Sequence, residues 1–381
     1  MRSPRAKVAT LAALGATLAL GVALPATADY APSSTDVVGV GGETPQYDLD
    51  FIADGDVAGD AGYNAANNPN KLVSFDANAD ANGRGAYLNG STLANPQALN
   101  PTIVLRSGTN PVQRPQSTTG GISAILADTG AVHQIDYVRS ARLPTAAEQN
   151  TAQANGWGFL HVVQLGTDSI QVVAAKTTNA PAGLSAQQLI GIYSGTITNW
   201  SQVGGTAGTI VPLLPPGTSV INTTFLKDLK AANGGTAITL GSNVQTIEQN
   251  DPGAITAVGA NAIAPFSSAR LALFDSNYFH NPNVTFPGGA AIQSNIQPLT
   301  GTPTSGGAAY VSSIGHYILF RESDASSTRP WQPGSTKNWV QTLFSNPGGS
   351  APYVARAATQ ALIAAAGTTP NYQDLGNKNS G

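Results

Sequence analysis

Short apolar runs alternate along the chain with longer stretches whose apolar residues recur at helical spacing. Val37-Val38-Gly39-Val40 is a continuous apolar run of the kind that fills a strand buried on both faces. Pro45 then suits the first position of a helix, with Thr44 as N-cap and Tyr47, Phe51 and Ile52 as its apolar face. Further runs predict strands at 103–105, 134–138, 159–165, 170–174, 210–214, 262–266 and 317–320. The strands at 159–165 and 170–174 read as separated by a turn. Helical spacing appears at 121–127, 219–232, 338–344 and 353–366, the last closed by Gly367, with a short helix at 244–249. Residues 29–36 read as a polar lead-in, and 75–101 as loops rich in Asn, Gly and Pro.

Two helix starts are explicit. Thr145 with Glu148 and Ser185 with Gln188 have capping-box spacing, and Leu184 and Leu189 are placed as a hydrophobic staple around the second. Gly195 suits the left-handed position that ends that helix. Strands alternating with helices predict an α/β fold with mostly parallel sheets. No internal repeat and no low-complexity linker appears, so two lobes joined by short hinge strands are expected.

Three helix starts share one design, a hydroxyl residue at the first turn. They are Gly41-Gly42-Glu43-Thr44-Pro45, Ser117-Thr118-Thr119-Gly120-Gly121 and Gly217-Thr218-Ser219. A helix start presents unpaired N–H groups and the positive end of the dipole, which favours an anion. A single Ser or Thr there is ordinarily only an N-cap. Three converging on one point would make a cage for a small oxyanion.

Composition narrows the classes. Met1 to Lys7 carries Arg2, Arg5 and Lys7, Val8 to Leu24 is apolar, and Ala26-Thr27-Ala28 is a small-residue cleavage site. This predicts a signal peptide over 1–28 and a secreted mature chain 29–381, periplasmic in a cell with an outer membrane. The formal net charge is −3, and losing those three basic residues makes it more negative. With no basic run, nucleic acid is not an expected partner. There is no cysteine, so disulfides, thiolate sites and an N-terminal lipid anchor on cysteine are excluded. The 4 histidines, His133, His161, His280 and His316, have no metal-site spacing, and neither a metal nor a cofactor is implied. No G-x-S-x-G elbow supports a hydrolase. Trp157, Trp200 and Trp331 read as packing residues rather than a sugar platform.

Residues 30–41 resemble the start of secreted actinobacterial relatives of the phosphate-binding proteins of ABC transporters. Arg114-Pro115-Gln116-Ser117-Thr118-Thr119-Gly120-Gly121-Ile122 resembles that family's second ligand loop, and Ile135 to Arg142 its D-F-A-R-S-S-R stretch. The most specific match is 184–200, LSAQQLIGIYSGTITNW, which resembles L-T-x-x-Q-L-x-x-I-Y-x-G-x-I-T-N-W. Asn261-Ala262-Ile263-Ala264-Pro265-Phe266-Ser267 is similar to a later N-A-I-G-P-F-S. The resemblance covers nearly the whole mature chain. It implies a two-lobed type 2 periplasmic-binding-protein fold with central mixed sheets flanked by helices. Lobe 1 would comprise 29–168 with the return 316–381, and lobe 2 would comprise 169–315, crossing near 163–170 and 314–320.

The resemblance further implies a non-enzymatic, monomeric protein that captures phosphate or a related oxyanion between its lobes and serves an ABC-transporter permease. Carried over, the ligand residues are Thr44, Ser117, Thr118 and Ser219, with Arg139 and Arg142 as replacements for lost cationic partners. Several positions depart from the family pattern. Thr218, Val220 and Ile221 stand where two glycines and a threonine are expected, Ala141 where an acid is common, and Pro215 where an arginine is common. Pro45 removes one N–H donor. Glu43 beside Thr44 would repel an anion unless it is turned away or paired with an arginine, and Arg270 reads either as lining the cleft or as part of a salt bridge. These departures keep a second reading open, a secreted interaction protein whose anion site is altered or lost.

Overall fold

A computed structural model describes residues 31–56, 58–77, 101–275, 295–326 and 336–380. The predicted signal peptide, most of the loop-rich stretch 75–101, His280 and Trp331 lie outside the described residues.

The chain begins with β1 (Val37–Gly41), α1 (Gln46–Asp54) and β2 (Leu72–Ser74). A separate two-stranded pair, β3 (Thr102–Ile103) and β4 (Val112–Gln113), precedes α2 (Thr118–Ala127), β5 (Tyr137–Ser140) and α3 (Ala146–Ala154). The long β6 (Leu160–Ala175) leads to α4 (Ala186–Ser194), β7 (Val211–Leu214), α5 (Val220–Ala232) and β8 (Gln245–Thr246). Then come α6 (Pro252–Val258), β9 (Ala262–Ser267), α7 (Ser268–Asp275), β10 (Ile296–Pro298) and β11 (Val311–Arg321). The last elements are α8 (Glu322–Ala325), α9 (Trp339–Leu343), α10 (Ala357–Ala365) and β12 (Thr369–Gly376).

The main sheet runs β2-β1-β5-β11-β6-β9-β7-β8, with β10 and β12 also pairing with β6. Its flanks are parallel: β1 lies between β2 and β5, and β7 lies between β9 and β8. Its centre is antiparallel, because β6 runs against β9, β10, β11 and β12 and β11 also runs against β5. The mostly parallel arrangement expected from β/α alternation therefore holds only where a helix carries the chain back over the sheet.

The turn expected between 165 and 170 does not form. β6 continues through Gly166, Thr167 and Asp168, and β11 pairs with it from Arg321↔Leu160 to Val311↔Gln171. Gly166 serves close approach rather than a turn. A Cβ there would stand 2.5 Å from the Thr369 carbonyl oxygen on β12. The helix expected at 244–249 is also absent. Residues 245–246 form the edge strand β8 on β7, which suits the β-branched Val244, Thr246 and Ile247.

The helix starts form close to where the sequence puts them. Thr145 and Ser185 close capping boxes with Glu148 and Gln188, and Gly195 ends α4 at φ 80. α2 begins earlier than expected, at the Ser117 cap. At α1 the cap position falls to Pro45, and no side chain caps it.

Each flank is packed on both faces, because neighbouring strand residues point opposite ways. Val37 and Val163 face a cluster with Leu49, Phe320 and Trp339, whereas Val38 and Val162 face one with Ile122 and Trp157. In the other flank Val172 packs with Leu189, Trp200 and Phe225, and Val173 with Leu213 and Phe266. Trp157 and Trp200 are core residues in this packing.

A polar knot lies where β6 and β11 pass between the flanks. His316, at a register shift in β11, is fully buried. Its Nδ1 lies 2.7 Å from Asp48 on α1, and its Nε2 lies 3.8 Å from Asp168 on β6. Thr368 donates to Asp48 at 2.7 Å, while Ser267 and the Ala269 N–H donate to Asp168 at 2.5 and 2.8 Å. Burial pulls the His316 pKa down, but Asp48, Asp168 and Glu43 outweigh it, and the net shift is upward. A histidine raised in the folded state stabilises most below its unfolded pKa of about 6.5 and loses that contribution as pH rises through the folded value. Denaturant unfolding followed from pH 6 upward should show this loss, and His316→Gln should flatten it. His316→Ala, which leaves Asp48 buried without its cation, should cost about 3–5 kcal/mol at neutral pH.

Candidate functional site

Thr44, Ser117, Thr118 and Ser219 line one cavity of about 690 Å³. Lining residues follow the carboxyl ends of the parallel strands β1, β7 and β8, the end of a parallel α/β array where ligands are ordinarily held. One wall consists of the chain after β1 and the start of α2. The opposite wall consists of the start of α5 and the segment after β8.

Glycines bring the first two helix starts together. A Cβ on Gly121 would lie 2.6 Å from the Gly41 Cα, and one on Gly42 would lie 2.7 Å from the Thr118 hydroxyl. Close approach, more than turn geometry, therefore requires these glycines. Ser117 accepts from the Gly120 N–H at 3.0 Å, as an N-cap should. The Thr118 hydroxyl accepts from the Ala141 N–H at 3.0 Å, which fixes its oxygen and leaves its proton to donate.

The third start is built differently. The Ser219 oxygen caps its own helix, accepting from Ile221 and Asn222 at 3.1 and 3.3 Å. Its proton goes to the side-chain oxygen of Gln249. Val220 lines the cavity, but Ile221 turns into the core beside Trp200 and Phe225. The cavity is therefore narrowed by one of the two β-branched residues, not by both.

Glu43 is 4% exposed, and its charge is met. Arg270 reaches it at 2.5 Å and Asn250 at 3.0 Å, and the Gln249 amide also donates to it. The Arg270 guanidinium lies 4.2 Å over the Tyr47 ring, a cation–π contact that holds it in place. Asn250 has φ 53, a left-handed conformation that Asn tolerates better than most residues.

Neither arginine proposed from sequence lines the cavity. Arg139 is fully buried and donates to Ser74 Oγ at 2.5 Å, to the Phe75 carbonyl at 2.6 Å and to the Gly41 and Gly42 carbonyls. It clamps the end of β1 from beneath, because carbonyls there need donors that the sheet no longer supplies. Arg142 forms a two-pronged pair with Glu148, both bonds at 2.8 Å. Burial alone would raise the Glu148 pKa, but Arg142 and the Thr145 cap outweigh it and lower the pKa.

Three lining or bracing residues escaped the sequence reading of the site. Arg114 lines the cavity and donates to the Asp76 carbonyl at 2.9 Å. Its place directly before the hydroxyls of the second loop was the available signal. Gln249 and Asn250 carried none, because the segment before them read as a helix.

Hydroxyls and helix starts meet here from two flanks of a mixed sheet, an architecture that fits the type 2 periplasmic-binding-protein fold. Residues 93–341 match the model of the PBP superfamily domain, and the chain belongs to that superfamily. No curated protein matches it. Among solved structures, an ABC-type phosphate transport receptor from Vibrio cholerae is similar at 15% identity and TM-score 0.46, over 88% of this chain and 100% of that one. A putative phosphate ABC transporter substrate-binding protein with bound phosphate, from Clostridium perfringens, shares 15% identity at TM-score 0.41, over 75% of this chain and 86% of that one. At these scores the likeness carries no weight beyond the family match. Among the described residues no helix is long and apolar enough to cross a membrane.

The buried pair provides a direct check on the walls. Arg270→Met leaves Glu43 without its cation and should destabilise the protein by about 3–5 kcal/mol. Adding Glu43→Gln to that variant should recover most of the loss, as read from denaturant midpoints at constant slope.

Proposed function

We propose that the protein is an exported, non-enzymatic solute-binding protein that captures phosphate or a similar oxyanion in this cavity and delivers it to an ABC-transporter permease. The observation that carries this reading is the meeting of Thr44, Ser117, Thr118 and Ser219 in one cavity at the starts of α1, α2 and α5. Hydroxyl protons and helix-start N–H groups suit an oxyanion, and each charge-assisted bond is worth about 1.5–3 kcal/mol. Membership of the PBP superfamily agrees with it.

In this reading 29–168 with 316–381 form one lobe and 169–315 the other, and the crossing strands β6 and β11 act as the hinge. Export relies on the predicted signal peptide.

Calorimetry of the purified protein against phosphate, sulfate and arsenate tests the proposal. Saturable heat with at least one oxyanion is expected, and silence with all three at millimolar concentration overturns it. Thr118→Ala should weaken binding about tenfold to a hundredfold, the loss of one charge-assisted bond.

A further inference from the structure

The Gln249 side chain already takes the contact that a bound oxyanion would make with Ser219, and it reaches across to the other wall as a donor. Its carbonyl oxygen accepts the Ser219 proton. Its amide nitrogen donates to the Thr44 hydroxyl at 3.0 Å and to the Glu43 carboxylate across the cavity. Ser219 and Gln249 belong to the 169–315 part of the chain, and Thr44 and Glu43 to the part built on β1. The amide therefore ties the two walls together. Its backbone is anchored next door, where Asn250 bonds Glu43 at 3.0 Å and accepts from the Ser267 N–H at 2.9 Å.

Resting on the oxyanion reading, we propose that Gln249 competes with the ligand for the Ser219 proton and, through its amide bonds to Thr44 and Glu43, latches the cleft. Any anion that takes the Ser219 proton must first displace the Gln249 oxygen. The intrinsic affinity of the walls is thereby lowered by the worth of the amide's bonds. The same bonds hold the walls near each other when no anion is present.

The test combines a ligand-free distance with a titration. The chain has no cysteine, so Thr119→Cys and Thr223→Cys, on exposed first-turn positions of α2 and α5, accept spin labels at chosen sites only. In oxyanion-free buffer the labelled protein should show a narrow distance distribution. Gln249→Ala and the near-isosteric Gln249→Met should both broaden and lengthen it. In calorimetry both should bind phosphate about tenfold more tightly, the worth of one to two net hydrogen bonds. An unchanged distance distribution in both variants overturns the latch, and weaker phosphate binding in both overturns the competition by making Gln249 a ligand contact. A changed distribution with no oxyanion bound by any form sustains the latch and refutes the oxyanion reading on which the competition rests.

Discussion

Between Leu160 and Gln171 one strand pairs along its length with β11, and this ladder is what the two parallel flanks depend on. Each flank is a small array of strands around β1 or β7, with short pairings on either side. Neither has a long strand of its own. The β6 and β11 residues at one end complete the packing around Val37 and Val38, and those at the other end complete the packing around Trp200 and Leu213. α1 reinforces the join, because Leu49 and Ile52 pack in one cluster while Tyr47 and Phe51 pack in another that contains Leu213 and Phe266. The orientation of the cavity walls is thus set by two strands and one helix.

The join is polar where it could have been apolar. His316, Asp48 and Asp168 meet beneath it, and Glu43 and Arg270 meet above α1. A hydrophobic set of the same volume is often as stable as a buried ion pair, so such groups are weak evidence for stability. What they do supply is direction. Each carboxylate accepts from partners on more than one element, and a shift of one wall relative to the other breaks several bonds at once. If the proposed hinge operates at this join, such contacts would make it move between discrete arrangements rather than bend continuously.

Most local signals governed by a short-range rule were legible in the sequence, the Thr44 cap being an exception because the cap position falls to Pro45. The capping boxes at Thr145 and Ser185 and the Gly195 stop depend on residues three to ten apart, and all three form. The Ser117 and Ser219 caps were readable for the same reason. Failures arose where distant chain decides. Gly166-Thr167-Asp168 has turn composition, yet β11 and β12 satisfy its backbone and hold it extended. The 244–249 segment has an apolar spacing compatible with a helix, but pairing with β7 takes it into the sheet. Arg139 and Arg142 were expected as replacements for cationic partners lost from the family pattern, but sequence position does not show which way a guanidinium points. One turned down into carbonyls at the end of β1 and the other toward Glu148.

The substitutions around Ser219 and the reach of Gln249 are two parts of one local arrangement. At the first two helix starts, glycine pairs let backbone pack against backbone, and the Thr118 oxygen is held by Ala141 with its proton left to donate. At the third, Thr218 and Val220 line the cavity with side chains where the family pattern has glycines, so backbone approach from that wall is restricted. The Ser219 oxygen also satisfies two of the N–H groups that such an approach would have used. That wall therefore acts mainly through one hydroxyl proton, and Gln249 takes it. In the proposed function the grip on an anion is asymmetric: the β1 and α2 side supplies most of the donors. The α5 side decides, through a single exchangeable hydrogen bond, whether the walls close on the ligand or on Gln249.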